Sequence, residues 1–225
     1  MSNFIESNRL YLLLGLAGAV TFLWLFLLRR RLRMKWYAAL ILSVASVVYG
    51  VFSVKAFAVL EGKPLTGGAM SLFGVVFLMP IALWLGAKIS KRKTTEVFDI
   101  FTPCMIFAVA CARVNCIFAG CCTGVIIPGH APWRFPTREA ELVFYAIFLA
   151  IIVPRVWKGK TRGEVYPLYM FTYGVVRAVL ECFRTAETNS ILHRSHIWAA
   201  ISVIVGLCFY IEIRRRREKK RGAQA

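Results

Sequence analysis

"LYLLLGLAGAVTFLWLFLLRRRLRMK", Leu10–Lys35, decides the fold. Leu10–Leu28 carries no charge, and five basic residues follow within Arg29–Lys35. An uncharged run of about 20 residues is what crosses the hydrocarbon core of a bilayer as a helix. A cluster of Lys and Arg directly after it belongs with the cytoplasmic headgroups. The same alternation continues outward along the chain, with apolar runs at Trp36–Val54, Ser71–Ala87, Val97–Ala112, Glu141–Val153, Val165–Phe183 and His196–Ile213. Three of the seven runs are shorter than a bilayer requires, so their helices are expected to extend into the flanks. Period-2 alternation of the kind a membrane barrel needs is absent. The expected fold is an all-α integral membrane protein, a seven-transmembrane helix bundle.

Composition agrees. Of the 225 residues 59% are hydrophobic, with a mean hydropathy of +0.64, whereas soluble domains are nearer half apolar. The formal charge of +18 would suit nucleic acid if it lay on one soluble face. Instead, the blocks Arg29–Lys35, Lys88–Lys93, Arg155–Arg162 and Arg214–Arg221 hold 20 of the 29 basic residues, between apolar runs. Nucleic acid is therefore not an expected partner; the bilayer is. Seven spans put all four blocks on one side, which the positive-inside rule makes the cytoplasm. The N-terminus is then outside, the first segment a retained anchor, and the C-terminus cytoplasmic. Residues 1–225 read as a single transmembrane domain whose basic cytoplasmic tail, 214–225, meets anionic headgroups.

This topology gathers the unusual polar residues on the outer face: "ARVNCIFAGCCTG" (Ala112–Gly124), the connection to Glu139, Val59–Met70 and Arg184–Ser195. A charge within a span costs about 2.5–3.5 kcal/mol on insertion scales and faces a partner or a cavity. Arg177 and Glu181 are four apart in "LYMFTYGVVRAVLECFRT", so they share a helix face and can pair. The same spacing joins Tyr166, Tyr169, Tyr173 and Arg184 to their stripe. In "RFPTREAELVFY", Pro136 suits a helix start and Thr137 an N-cap, with Arg138, Glu141 and Tyr145 on one face. Arg113 precedes a turn in which Gly120 and Gly124 permit close backbone approach. Arg113, Arg177 and Arg184 at one outer cavity would suit an anionic headgroup, because guanidinium grips phosphate through a planar fork.

At these residues the chain resembles the prolipoprotein diacylglyceryl transferases, bacterial membrane enzymes that move diacylglycerol from phosphatidylglycerol onto a prolipoprotein cysteine. The resemblance runs from "GGAMSLFG" (Gly67–Gly74) through most of the remaining chain. Arg113 in "ARVNCIFAG" looks like the family's signature arginine, Glu141 in "PTREAE" like the glutamate at a helix start, and Arg177 in "YGVVRAVLECFR" like the essential late arginine. Phe73 stands where the family carries a histidine before its third span. Asn115 lies one residue early, and Cys116 takes the asparagine's place.

The resemblance implies Arg113, Arg177, Glu141 and Glu181 as catalytic residues. It implies Arg184, Tyr173, Asn115, Cys116, Gly120, Gly74 and Arg138 as substrate-binding residues. Phosphatidylglycerol or another anionic glycerophospholipid would be the donor and a prolipoprotein the acceptor, in the cell membrane. With Phe73 in place of the histidine, His130 is a substitute candidate for a base.

Of seven cysteines, those at 104, 111, 182 and 208 lie within spans and suit packing. Cys116, Cys121 and Cys122 face the oxidising side, where a disulfide, a plain structural role or a covalent thiol intermediate are the alternatives. Their spacing is not C-x-x-C, so no metal and no cofactor is expected. Two other functions compete with the transferase: a membrane thiol–disulfide oxidoreductase using these cysteines, and a non-catalytic lipid binder or transporter.

Overall fold

A computed structural model describes residues 2–62, 70–127, 133–184 and 194–222. They form seven helices: α1 (Ser2–Leu27), α2 (Trp36–Leu60), α3 (Phe73–Ile89), α4 (Thr94–Phe118), α5 (Thr137–Trp157), α6 (Val165–Cys182) and α7 (Arg194–Gly222). Five of them contain stretches long and apolar enough to cross a membrane: Asn8–Leu27, Trp36–Leu60, Thr94–Phe118, Thr137–Trp157 and Ser195–Lys219. α3 is apolar but only 17 residues long, and α6 has 18. The molecule is a helical membrane protein with one helix per expected segment. Of the three short runs, two extend into their flanks as expected, α4 to Thr94–Phe118 and α5 to Thr137–Trp157, whereas α3 stays at 17 residues.

α4 is the centre of the bundle, with 67% of its apolar stretch buried. It packs against α1, α3, α5 and α6, while α2 lies on α1 and α3, and α7 lies along α6. Lipid-like surroundings give no hydrophobic drive between helices, so small residues that let backbones approach do much of the work. At Gly74 of α3 a Cβ would fall 2.1 Å from the Ser53 carbonyl oxygen of α2. At Gly206 of α7 it would fall 2.5 Å from the Phe171 nitrogen of α6.

Buried polar bonds tie the rest. Asp99, inside the α4 span, accepts hydrogen bonds from the Gly163 and Val165 nitrogens at 2.6 and 3.2 Å. It thereby satisfies orphan donors at the start of α6. Tyr166 donates to the Val76 carbonyl, and Ser202 to the Met170 carbonyl at 2.8 Å.

The four basic blocks gather at one end of the bundle. Arg31 meets Glu96 at 3.4 Å and the Val156 carbonyl; Arg92 donates to the Arg33 carbonyl; Arg217 pairs with Glu164. The basic segment after Ile213 is not a loose tail over its described part. α7 continues through it to Gly222, and the Arg217–Glu164 pair fastens that extension to the α5–α6 turn.

Candidate active site

At the opposite end, the last turns of α4 and α6 meet the first turn of α5. Each contributes buried charge. Glu141 of α5 is only 3% exposed. Its Oε2 lies 2.8 Å from Arg113 Nε of α4 and 3.5 Å from Arg177 Nη1 of α6. Its Oε1 accepts the Tyr145 hydroxyl at 2.6 Å. Arg177 Nη2 reaches Glu181 Oε2 at 2.7 Å, so the pair expected from the four-residue spacing is formed. Arg184 Nη1 stands 3.6 Å from the same carboxylate oxygen.

The result is a chain of alternating charge, Arg113–Glu141–Arg177–Glu181–Arg184, in which three guanidiniums face two carboxylates. Buried charges survive only when paired and hydrogen-bonded. The five side chains thus carry one more positive than negative charge, and the outermost, Arg184, also reaches the Cys122 sulfur. Above it in the same stripe, Tyr169 and Tyr173 are buried, and their hydroxyls have no hydrogen-bond partner among the described residues. The Phe73 ring stands edge-on to Tyr173, 5.8 Å away, within an aromatic group that includes Phe57, Phe77 and Trp198. An apolar cleft of about 200 Å³ runs between α1, α2, α3 and α4, past Val54 and Met105 to Ala112, the residue before Arg113.

Several residues singled out in the sequence take other positions. Arg138 does not join Glu141 and Tyr145. Its Nη1 turns to the carbonyls of Cys116, Ile117 and Cys121 at 3.3, 3.4 and 3.3 Å. It thus covers acceptors at the end of α4 that lack helical donors. Thr137 is not an N-cap. Pro136 holds that position, and the Thr137 hydroxyl donates to the Cys122 carbonyl at 3.0 Å. Asn115 is half-buried and outside the ion network. Gly74 is accounted for by the α2–α3 crossing. Gly120 ends α4 with φ +67°, a conformation glycine adopts freely. His130 and His193 lie outside the described residues. His196 is described, with Nε2 3.7 Å from Cys182 Sγ.

The connection after α4 closes one flank. Gly124 pairs with Arg184 and Ile126 with Arg134 in short antiparallel bridges. The Phe135 ring stacks on Phe183 with centroids 4.4 Å apart. Within this turn, Cys116, Cys121 and Cys122 are free thiols whose sulfurs all lie within 4.8 Å of one another. Arg184 Nη2 donates to Cys122 Sγ at 2.9 Å. The hydrogen bond shared with the Cys116 thiol, helped by Arg184 and Arg113, lowers the Cys122 thiol against the effect of burial.

Two features were missed in the sequence. Asp99 is an acid inside an apolar run, a sign that was available. The convergence of the three sulfurs depends on a backbone turn that spacing does not reveal.

A model of the prolipoprotein diacylglyceryl transferase family matches residues 9–212. The phosphatidylglycerol–prolipoprotein diacylglyceryl transferase of Dehalococcoides mccartyi strain 195 is 24% identical over 174 residues, covering 71% of this chain and 66%, just under two thirds, of that enzyme. The Clostridium tetani enzyme of the same name is 23% identical over 68% of this chain and 67% of its own length. That of D. mccartyi strain BAV1 is 22% identical over 92% and 88%. With residues 9–212 of its 225 matched to the family model, the chain belongs to the prolipoprotein diacylglyceryl transferase family.

Proposed function

We propose that this protein transfers a diacylglyceryl group from phosphatidylglycerol to the thiol of a prolipoprotein cysteine, at the outer face of the cell membrane. The observation that carries the proposal is the buried Arg113–Glu141–Arg177–Glu181–Arg184 chain with its one surplus cation. The gathering of the basic blocks at one end supports a cytoplasmic assignment for that end by the positive-inside rule, and with it an outer position for the site. The N-terminus is then outside and all seven helices cross, as one transmembrane domain.

In the reaction, the acceptor sulfur attacks the terminal glycerol carbon of the diacylglyceryl group and forms a carbon–sulfur bond. The carbon–oxygen bond to the phosphate breaks, and glycerol phosphate leaves with the electron pair. The thiol proton is given up to solvent or to a base. Arg113, Arg177 and Arg184 face the phosphate and stabilise the charge that grows on it, the kind of preorganised effect that dominates many sites. Glu141 serves as a positioning residue: its Oε2 bridges Arg113 and Arg177 while its Oε1 accepts the Tyr145 hydroxyl, so it fixes both guanidiniums toward one place. Glu181 likewise holds Arg177 and Arg184 in line. The Tyr173 hydroxyl supplies a donor to the bound headgroup. Gly120 and the Arg138 clamp set the turn that borders the phosphate. The apolar cleft past Val54 and Met105 receives an acyl chain.

The test is a mass-spectrometric assay in phosphatidylglycerol-containing micelles with a lipobox peptide, beside the Arg177→Ala variant. Diacylglyceryl peptide and glycerol phosphate are expected from the unaltered protein, and a loss of about 10²–10³-fold from the variant. Intact phosphatidylglycerol with the unaltered protein would refute the assignment.

A further inference from the structure

We propose that Cys116, Cys121 and Cys122 form a binding site for a soft, thiolate-seeking metal ion of the Cu(I) class. The three sulfurs already lie within 4.8 Å of one another. With metal–sulfur bonds of about 2.3 Å, three sulfurs around one ion stand about 4 Å apart, so the trio needs to contract by less than 1 Å.

The backbone is arranged to bring them there. Cys116 sits on the last turn of α4, Gly120 reverses the chain at φ +67°, and Cys122 itself is held at φ +60°. A left-handed conformation costs a residue with a Cβ about 1–2 kcal/mol, and such strain persists only where the surroundings over-determine it. Here they do. All three cysteine carbonyls are pinned from the first turn of α5: those of Cys116 and Cys121 by the single Arg138 guanidinium, and that of Cys122 by the Thr137 hydroxyl. Arg184 donates to the Cys122 sulfur. Ligands fixed by outer partners of this kind are characteristic of metal sites.

The donor set selects the ion. Thiolates suit Cu(I) and zinc, whereas hard cations require oxygen. The described residues bring three sulfurs together with no imidazole or carboxylate among them, and structural zinc takes four ligands. A three-coordinate Cu(I) thiolate matches the set. Binding releases whatever thiol protons the three sulfurs still carry and forms three metal–sulfur bonds, without any change of oxidation state. The resulting negative charge lies among Arg113, Arg138 and Arg184. Simple packing does not account for the trio, because Cys121 is exposed. A disulfide would join two sulfurs and leave the third without purpose.

The experiment is an oxygen-free titration of the reduced full-length protein in detergent with Cu(I) held by bicinchoninate. The expected result is withdrawal of a single Cu(I) per chain, with thiolate-to-copper charge-transfer absorption, and protection of Cys121 from alkylation in the unaltered protein. The Cys182→Ser/Cys208→Ser double variant should behave identically. Cys116→Ser, Cys121→Ser and Cys122→Ser, each checked for helicity and monodispersity, should lose stoichiometric uptake, and Arg184→Ala should weaken it by about 10–100-fold. No uptake by the reduced protein would overturn the proposal. So would uptake that survives loss of all three cysteines, equal retention of Zn(II), or two missing thiols that reduction does not restore to seven.

Discussion

At the scale of single residues, Glu141 carries the greatest consequence, because one carboxylate answers two arginines from different helices. Replacing it by Ala would leave two buried guanidiniums without their shared partner, a loss of about 3–5 kcal/mol. Glu141→Ala should therefore lower the thermal midpoint in detergent as well as abolish activity. Glu141→Gln keeps the shape and the Tyr145 bond but not the charge, so it should retain more stability than activity. Tyr145→Phe removes only a donor to a charged group, about 1.5–3 kcal/mol. It should leave measurable transfer; equal damage from all three variants would contradict the positioning role. The Arg177–Glu181 pair was legible in the sequence, since two opposite charges four apart in an apolar run have few other reasons to be there. That Glu141 bridges Arg113 and Arg177 was not, because the bridge is made by how three helices lean together. Arg138 misled for a related reason: its helix face is shared with Glu141, but a long side chain follows the nearest unpaired carbonyls, which lie at the end of α4.

Among the helices, α4 and α6 depend on a bond that hydropathy conceals. Asp99 satisfies two nitrogens at the start of α6. Asp99→Ala would orphan both, at about 1–3 kcal/mol each, and should lower thermal stability while leaving the distant ion network's geometry intact. A variant as stable as the unaltered protein would show that water takes over both donors. Gly74 sits where α3 crosses α2, and a leucine there would have to push Ser53 and Val54 aside. Gly74→Leu should cost at least about 1–3 kcal/mol through overpacking, read as a lowered midpoint. Helix number and order could be read from the apolar runs, because each run became one helix. Helix ends were less legible. α4 runs well past its last apolar stretch to Phe118 because Arg113 is buried against neighbouring helices and Cys116 is half-buried.

For the whole molecule, polarity is the organising fact: basic turns at one end, the ion network and cysteines at the other. In intact cells a membrane-impermeant maleimide should label Cys121, whereas a probe cysteine introduced as Lys158→Cys should react only after permeabilisation. The reverse pattern would invert the proposed orientation. That the basic turns share one end was legible from lysine and arginine placement alone. What the outer end holds was not, because it is assembled from α4, α5 and α6 together with the turn that follows α4.

One residue at that end belongs to two circles. The Arg184 guanidinium touches Glu181 through one nitrogen and the Cys122 sulfur through the other. An occupant of either circle alters what the other can hold, and thermodynamics makes such influence mutual. Whatever factor a ligand on the sulfurs imposes on the grip for a phosphate, the phosphate must return in equal measure.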